Sequence, residues 1–217
     1  MLHIDIASDI VCPWCFIGLR RFAEAEARVR QEIPDFALRK RWLPFFLNPD
    51  TPAAGEPYLP FLIAKFGSRE RVDALFAQIR AAGAVHGADF HFEKIQLRAN
   101  TLDAHRLIHR TQQQGLDAAP LVERLFVAQF QQGLNVGDPN VLLQAAREAG
   151  LDAPDLEAWL ASDAEADTVR AIEGEVRRIG IRSVPTYLVD QRFAVVGAED
   201  PATLAEALGR AWRSRQG

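Results

Sequence analysis

The chain of 217 residues contains only two cysteines, which stand three positions apart in the segment Cys12-Pro13-Trp14-Cys15. Residues 2–7 alternate as β-strands do, and from Pro13 onward apolar side chains recur at helical spacing. We therefore expect Cys12 at the start of a helix, where unpaired backbone N–H groups and the helix dipole favour a thiolate. The thiolate is the nucleophilic form of cysteine, and Cys15 lies one helical turn away. The spacing predicts a redox-active pair that can close a disulfide.

Composition and charge narrow the class of protein. A net charge of −4, a pI near 5.8 and 48% hydrophobic residues indicate a globular protein and argue against a nucleic-acid or acidic-membrane surface. The basic run Arg39-Lys40-Arg41 is interpreted as a solvated strand end. No apolar stretch is long enough to span a membrane, and the first residues lack the features of a secretory signal, so we expect a cytoplasmic protein. In that reducing compartment a disulfide is usually transient and catalytic.

The order of the predicted elements indicates an α/β fold with a helical insertion. A strand at residues 2–7, a helix at 13–32 and a strand at 36–46 form a β-α-β unit. A hairpin of strands 186–189 and 193–196, followed by a helix at 201–213, forms a β-β-α unit. Between the units, residues 48–60 are rich in proline, and about six helices are expected at 70–82, 101–114, 117–133, 138–150, 155–161 and 164–179. We predict one domain from residues 1–47 and 181–217, and an inserted all-helical domain from 48–180.

Four sequence motifs resemble those of one protein family. They are residues 5–18 (DIASDIVCPWCFIG), 100–109 (NTLDAHRLIH), 184–186 (VPT) and 196–198 (VGA). Together with the order of the elements, they resemble the DsbA-like thioredoxin-fold oxidoreductases of the FrnE-type branch, which are related to 2-hydroxychromene-2-carboxylate isomerase and the kappa-class glutathione transferases. The resemblance implies a thioredoxin fold with a large helical insertion. Ser183 departs from the pattern, because glycine is commoner at that position in the branch.

The resemblance also implies roles for the residues of the site. Cys12 is the attacking thiol and Cys15 the resolving thiol. Pro185 is a cis-proline packed near the disulfide, and Val184 offers backbone hydrogen bonds to an extended thiol substrate. Between the cysteines, Pro13-Trp14 removes one N–H and adds an aromatic surface, so this pair is expected to tune the redox potential and contact substrate.

Other polar residues have two interpretations each. His105 and His109 share a helix face but lack the intervening glutamate of a metalloprotease motif, so no metal site is predicted and core packing is favoured. His105 could instead face the cysteines as an accessory residue. Asp5 and Asp9 flank the motif as proton acceptors for the resolving thiol or as solvated or capping residues. Asp200 either receives the amino group of glutathione, as in related glutathione-using proteins, or caps the last helix.

We therefore predict a cytoplasmic thiol–disulfide oxidoreductase that acts on thiol or disulfide substrates, either proteins or small molecules. No bound cofactor is expected, glutathione is a candidate co-substrate, and the reducing partner is unidentified. Neither nucleic acid nor membrane is expected as a partner, and the chain is a monomer or a homodimer. Two alternatives stay open. One is a glutathione-dependent isomerase or transferase, in which a serine typically stands at the attacking position; the other is a non-enzymatic protein whose thiols hold a metal.

Overall fold

The computed structural model describes residues 1–151 and 153–215. Its regular elements follow one another as β1 (Leu2–Ser8), α1 (Pro13–Glu32), β2 (Leu38–Pro44), β3 (Glu56–Pro57), α2 (Tyr58–Phe66), α3 (Arg69–Ala84), β4 (Leu97–Arg98), α4 (Leu102–Gln113), α5 (Ala119–Val127), α6 (Pro139–Glu148), α7 (Leu156–Leu160), α8 (Ala166–Arg178), β5 (Thr186–Val189), β6 (Phe193–Val196) and α9 (Pro201–Arg213). None of the helices in these residues is long and apolar enough to cross a membrane.

A four-stranded sheet in the order β2-β1-β5-β6 joins the two ends of the chain. The pairing of β1 with β2 is parallel, whereas β1 with β5 and β5 with β6 are antiparallel. In this register Ile6 of β1 stands between Trp42 of β2 and Tyr187 of β5. Helices α1 and α9 pack on each other, and α4 and α8 pack on β2. This topology confirms the predicted thioredoxin fold with an insertion between β2 and β5.

The insertion differs from the prediction in two respects. It contains α2, a helix before residue 70 that was not among the six expected, and Pro60 occupies its first turn, where a missing N–H costs little. It also contains a two-stranded antiparallel ribbon of β3 and β4, so the expectation of an all-helical insertion was wrong. Strands of two residues have no readable alternation, because a period-two pattern needs more positions. The division of the chain at residues 47 and 180 into two domains stays a prediction.

A cluster of phenylalanine rings connects α1 to the insertion. Phe16 is fully buried and stacks on Phe126 and Phe130 of the insertion, with ring centroids 5.3 and 6.2 Å apart. Phe90 meets the same ring edge-on at 5.7 Å, and Phe92 stacks on Phe90. Aromatic pairs at such distances add to the free energy of burial. The helix that carries the cysteines is thus fixed against the insertion one residue after Cys15.

Gln112 joins α4 to the outer edge of the sheet. Its Oε1 accepts the backbone N–H of Trp42 at 2.6 Å, and its Nε2 donates to the Trp42 carbonyl at 3.1 Å. One side chain therefore supplies both hydrogen bonds that a neighbouring strand would make. Because α4 is held at this edge, its N-terminal half, with His105, is brought to the loop that precedes the cysteines.

Candidate active site

Cys12 is the N-cap residue of α1. Its backbone is extended (φ −94°, ψ 111°), Pro13 follows at the first helical position, and the Cys12 carbonyl accepts the N–H of Cys15 at 3.0 Å. A turn closed by the Cys12 N–H and the Asp9 carbonyl, 3.0 Å apart, precedes it. The side chain is 5% exposed. The predicted position at the helix start is confirmed, and it places the thiol at the positive end of the helix dipole.

The loop before β5 meets this thiol. The Val184–Pro185 peptide bond is cis, as the resemblance implied, and Cys12 Sγ lies 3.8 Å from the Val184 carbonyl oxygen. On the far side, the Pro185 carbonyl accepts the N–H of Gly197 at 2.8 Å, which ties the loop to β6. Cys12 and the loop before β5 are therefore in contact, although 172 positions separate Cys12 from Val184. Binding of a substrate by Val184 and Pro185 stays a prediction.

Cys15 lies behind Cys12 and is 2% exposed; both thiols are free. Burial raises the pKa of the Cys15 thiol well above 9.0, and the adjacent Cys12 raises it further. Hydrogen bonds from the Asp9 backbone and the Ser8 hydroxyl oppose the rise without cancelling it. The inner sulfur is thus held as a thiol, and it needs a route for its proton before it can act as a nucleophile.

Pro13 and Trp14, which separate the two cysteines in the sequence, are partly exposed, whereas Cys12 and Cys15 are buried. Trp14 also packs on the hydrophobic core, so one part of its side chain is held in place while another part stays accessible. The predicted contact of Pro13 and Trp14 with substrate agrees with this placement and is otherwise untested.

Asp9 and His105 form a buried pair next to the cysteines. Asp9 is 1% and His105 4% exposed at the side chain, and His105 Nε2 lies 3.3 Å from Asp9 Oδ1. The other oxygen, Asp9 Oδ2, accepts the backbone N–H of Leu47 at 2.8 Å, and the His105 ring meets Phe46 edge-on. The favoured interpretation of Asp9 as a solvated or capping residue was therefore wrong, because its partner comes from a helix 96 positions away. His105 reaches the cysteine site through Asp9.

Two further candidates have other partners. Both carboxylate oxygens of Asp5 accept hydrogen bonds from the Arg41 guanidinium, at 2.7 and 2.6 Å. Asp5 is therefore not available as a proton acceptor for the thiols. Asp200 caps α9 by accepting the N–H groups of Ala202 and Thr203, and the hydrogen bonds from Thr203 lower the pKa of its carboxyl. Capping is thus observed, whereas a contact of Asp200 with glutathione stays a prediction. In the described residues, no group of three His, Cys, Asp or Glu side chains is close enough to hold a metal ion.

Sequence reasoning missed two residues that shape the site. Gly18 follows Cys15 by one helical turn, and a Cβ placed on it would lie 2.5 Å from Tyr187 Oη and 2.8 Å from Pro185 Cγ. The glycine therefore allows α1 to approach the cis-proline loop closely. Both residues carried a signal, since helical spacing places Gly18 on the side of Cys15 and strand alternation places Tyr187 on the side of Pro185.

We expect Gly18→Ala to lower the free energy of unfolding by about 1–3 kcal/mol, because the added methyl group must displace Tyr187 or the proline loop. Gly174→Ala is the matched control. Nothing lies within 4 Å of a Cβ at this position in α8, so that variant should gain about 0.5–1 kcal/mol from helix propensity. Urea unfolding of both variants measures whether the free energy of unfolding falls in Gly18→Ala and rises in Gly174→Ala. A Gly18→Ala protein as stable as Gly174→Ala would contradict the close approach of α1 to the proline loop.

Fold and site together define a thioredoxin-fold protein with a dithiol at the start of its first helix. The family model of the DSBA-like thioredoxin domain matches residues 3–209, and the chain belongs to this family. It is 31% identical to a solved structure described as a probable DsbA oxidoreductase from Streptomyces coelicolor, with a TM-score of 0.87 over 98% of this chain and 91% of that chain. The predicted kinship with DsbA-like oxidoreductases is confirmed.

More distant structures share the fold. A 2-hydroxychromene-2-carboxylate isomerase is 20% identical with a TM-score of 0.68, and the cytosolic disulfide reductase DsbM from Pseudomonas aeruginosa is 17% identical with a TM-score of 0.63. Each likeness covers 99% of this chain and 98% of the other. The same architecture therefore occurs in an isomerase and in a disulfide reductase, and the residues of the site must distinguish between the two activities.

Proposed function

We propose that this protein is a thiol–disulfide oxidoreductase in which Cys12 attacks the substrate and Cys15 resolves the mixed disulfide. The observation that carries the proposal is the placement of the two sulfurs. Cys12 Sγ lies at a helix N-terminus against the Val184 carbonyl, whereas Cys15 is buried behind it with a raised pKa. One thiol is set to react first, and the other is protected until an adduct has formed.

The reaction proceeds in two exchanges. The Cys12 thiolate attacks one sulfur of a substrate disulfide, the Cys12–substrate S–S bond forms, and the substrate S–S bond breaks to release a thiolate. Cys15 then loses its proton and attacks Cys12 Sγ, so that the Cys12–Cys15 disulfide forms and the second substrate thiolate leaves. The substrate disulfide gains two electrons and the protein dithiol loses two. Two molecules of a cellular thiol, of which glutathione is the candidate, would return the protein to its reduced form and leave as their own disulfide.

Net reduction in the cytoplasm is the direction that we favour. A reducing compartment keeps such a pair as a dithiol, and DsbM, which shares the fold, is described as a cytosolic disulfide reductase. A structure of DsbM with glutathione is also known, which makes glutathione a reasonable co-substrate to test. Measuring the distribution of the tagged protein between cell fractions of its host would check the location.

The isomerase and metal-binding alternatives predict other behaviour of the same thiols. A glutathione-dependent isomerase needs one activating group at the attacking position and no resolving thiol, whereas a metal-binding protein needs both sulfurs as ligands. The second cysteine, placed one turn behind the first and kept protonated, is what favours redox chemistry over both.

Reaction with an equimolar chromogenic disulfide, dithiobis-nitrobenzoate, tests the proposal. The reduced protein should release the coloured thiol in two phases of equal size: the first reports attack by Cys12 and the second reports resolution by Cys15. Intact-mass analysis should then find a chain lighter by two hydrogen atoms. A single phase that ends in a stable adduct would contradict the proposal and support the isomerase interpretation.

The second phase should depend steeply on pH. Because the pKa of Cys15 lies well above 9.0, its thiolate fraction grows by about tenfold with each pH unit through the neutral and mildly alkaline range. The rate of the second phase is therefore expected to rise without a plateau up to pH 9. Stopped-flow traces between pH 6 and 9, at about constant ionic strength, provide the measurement, and a plateau within this range would show that Cys15 is not held as a thiol.

A further inference from the structure

A small cavity lies behind the resolving thiol. Its volume is about 30 Å³, and it is enclosed between α1, the sheet and the proline loop. The polar residues of its lining are Ser8, Cys15, Lys40, Trp42 and Tyr187. Of the described residues, none that lines it carries a carboxylate, so the cavity itself offers no acidic group to accept the proton of Cys15. The nearby Asp9 carboxylate faces His105 and accepts the N–H of Leu47 instead.

Three of these residues hold buried polar atoms with unused hydrogen-bonding capacity. They are Ser8 Oγ, Trp42 Nε1 and Tyr187 Oη, and apart from the contact of the Ser8 hydroxyl with Cys15, no hydrogen-bond partner is found for them in the described part of the chain. They come from three neighbouring strands, β1, β2 and β5. Buried polar atoms are almost always hydrogen-bonded, because leaving them unpaired is costly. Three such atoms around one cavity therefore point to a shared partner.

Water is the partner that fits. A cavity needs roughly 10–15 Å³ to hold one water molecule, and the water needs two to four polar contacts. The cavity has room for one or two molecules and offers the two hydroxyls, the indole N–H and the Cys15 sulfur. An apolar ligand would leave all of these groups unsatisfied.

We propose that this cavity holds an ordered water relay, built by Ser8, Trp42 and Tyr187, that carries the proton away from Cys15 when its thiol resolves the mixed disulfide. The inference rests on the proposed function. In the resolving step Cys15 Sγ–H gives its proton to the water, the Cys15–Cys12 S–S bond forms, and the Cys12–substrate S–S bond breaks. The outgoing substrate thiolate then takes an equivalent proton from solvent, so the step needs no further reactant.

The groups that face the cavity suit this role. Tyr187 is a neutral donor, because burial raises the pKa of its phenol and the two cysteines raise it further. Lys40 is partly exposed and forms the one charged part of the lining among the described residues, and its ammonium donates to Glu26 Oε2 at 3.1 Å. The lining is therefore nearest to solvent at Lys40, whose side chain is 22% exposed. The Ser8 hydroxyl and the bound water can both donate to the Cys15 thiolate, which stabilises it in the low-dielectric interior.

Two conservative variants test the relay, Tyr187→Phe and Ser8→Ala, each of which removes one hydroxyl. The matched control is Tyr58→Phe, the same change at the other tyrosine of the chain, which lies on α2 and stacks on Phe76 in the insertion. Each reduced protein is mixed with the chromogenic disulfide in a stopped-flow instrument, and both phases are followed as a function of pH. Cys15→Ala identifies the second phase, because it can show only the first.

We expect Tyr187→Phe and Ser8→Ala to slow the second phase by about tenfold at each pH, which is the effect of losing one hydrogen bond to a charged group. The rise of this rate with pH should therefore be shifted to higher pH than in the wild type. The first phase should stay within about twofold of wild type in both, and Tyr58→Phe should change neither phase. A second phase that stays at the wild-type rate in both variants would overturn the relay while leaving the proposed function intact. A wild-type protein without any second phase would instead remove the proposed function itself.

Equal slowing of the first and second phases would also overturn the relay, because a merely structural role of the hydroxyls would disturb the whole site. Thermal unfolding of each variant identifies a loss of folding. If one variant does not fold, the other carries the test, since Ser8 and Tyr187 lie on different strands.

Discussion

Cys12→Ser should release none of the coloured thiol above background, a loss of at least about a thousandfold, whereas Cys15→Ser should release one equivalent and stop. The reason is the order of the two attacks. Without the sulfur at the helix N-terminus no adduct forms, and without the buried sulfur the adduct cannot be resolved. Intact-mass measurement should find the Cys12→Ser chain unmodified and the Cys15→Ser chain carrying one thiol adduct.

The two variants also test which cysteine reacts first. Their roles rest on the 3.8 Å contact of Cys12 with the Val184 carbonyl and on the raised pKa of Cys15. If Cys15→Ser were unmodified and Cys12→Ser carried the adduct, the assignment would be reversed. If Cys12→Ser retained glutathione-dependent isomerase activity, the hydroxyl would be sufficient at this position and the isomerase interpretation would be the better one.

Phe16→Ala is expected to lower the free energy of unfolding by about 3–5 kcal/mol, the largest effect on stability that we predict. The ring is fully buried and contacts Phe90, Phe126 and Phe130, so its removal leaves a cavity between α1 and the insertion. The measurement is equilibrium unfolding in urea with the protein reduced. Since Phe16 follows Cys15 directly, we also expect the resolving phase of the variant to be slower.

Phe66→Ala is the control for that variant. The same chemical change at a side chain that is 37% exposed should cost about 0.5 kcal/mol or less. Similar losses in the two proteins would mean that the phenylalanine cluster does not hold the insertion on α1. A large loss in Phe16→Ala alone would show that the helix carrying the dithiol depends on the insertion for its position.

Local signals predicted those parts of the site that local physics determines. The alternation of residues 2–7 and the proline after Cys12 were sufficient to place β1, the N-cap and the start of α1, because period and capping act over a few residues. The hairpin of β5 and β6 was also found, and its turn residues Asp190 and Gln191 have the positive φ that such turns need. The cis form of Val184–Pro185 came from the family resemblance and not from the residues alone.

Contacts between distant residues were beyond local reasoning. Asp9 was ambiguous because nothing nearby in the sequence shows that His105 and the Leu47 N–H would meet its carboxylate. The cavity behind Cys15 is a stronger case, since its polar atoms come from three strands whose pairing had to be known first. The ribbon of β3 and β4 was missed for a further reason. Each strand has only two residues, and one residue of β3 is a proline.

Equilibration of the purified protein in glutathione buffers of graded redox potential, with acid trapping of free thiols and intact-mass analysis, tests the central claim most directly. The account predicts two interconverting forms, a dithiol and a Cys12–Cys15 disulfide, with a single reversible transition between them. A chain that stops at a stable glutathione adduct on Cys12 would contradict it in favour of the glutathione-dependent isomerase. Thiols that never pair, in a protein that retains a bound metal, would contradict it in favour of a metal-binding role.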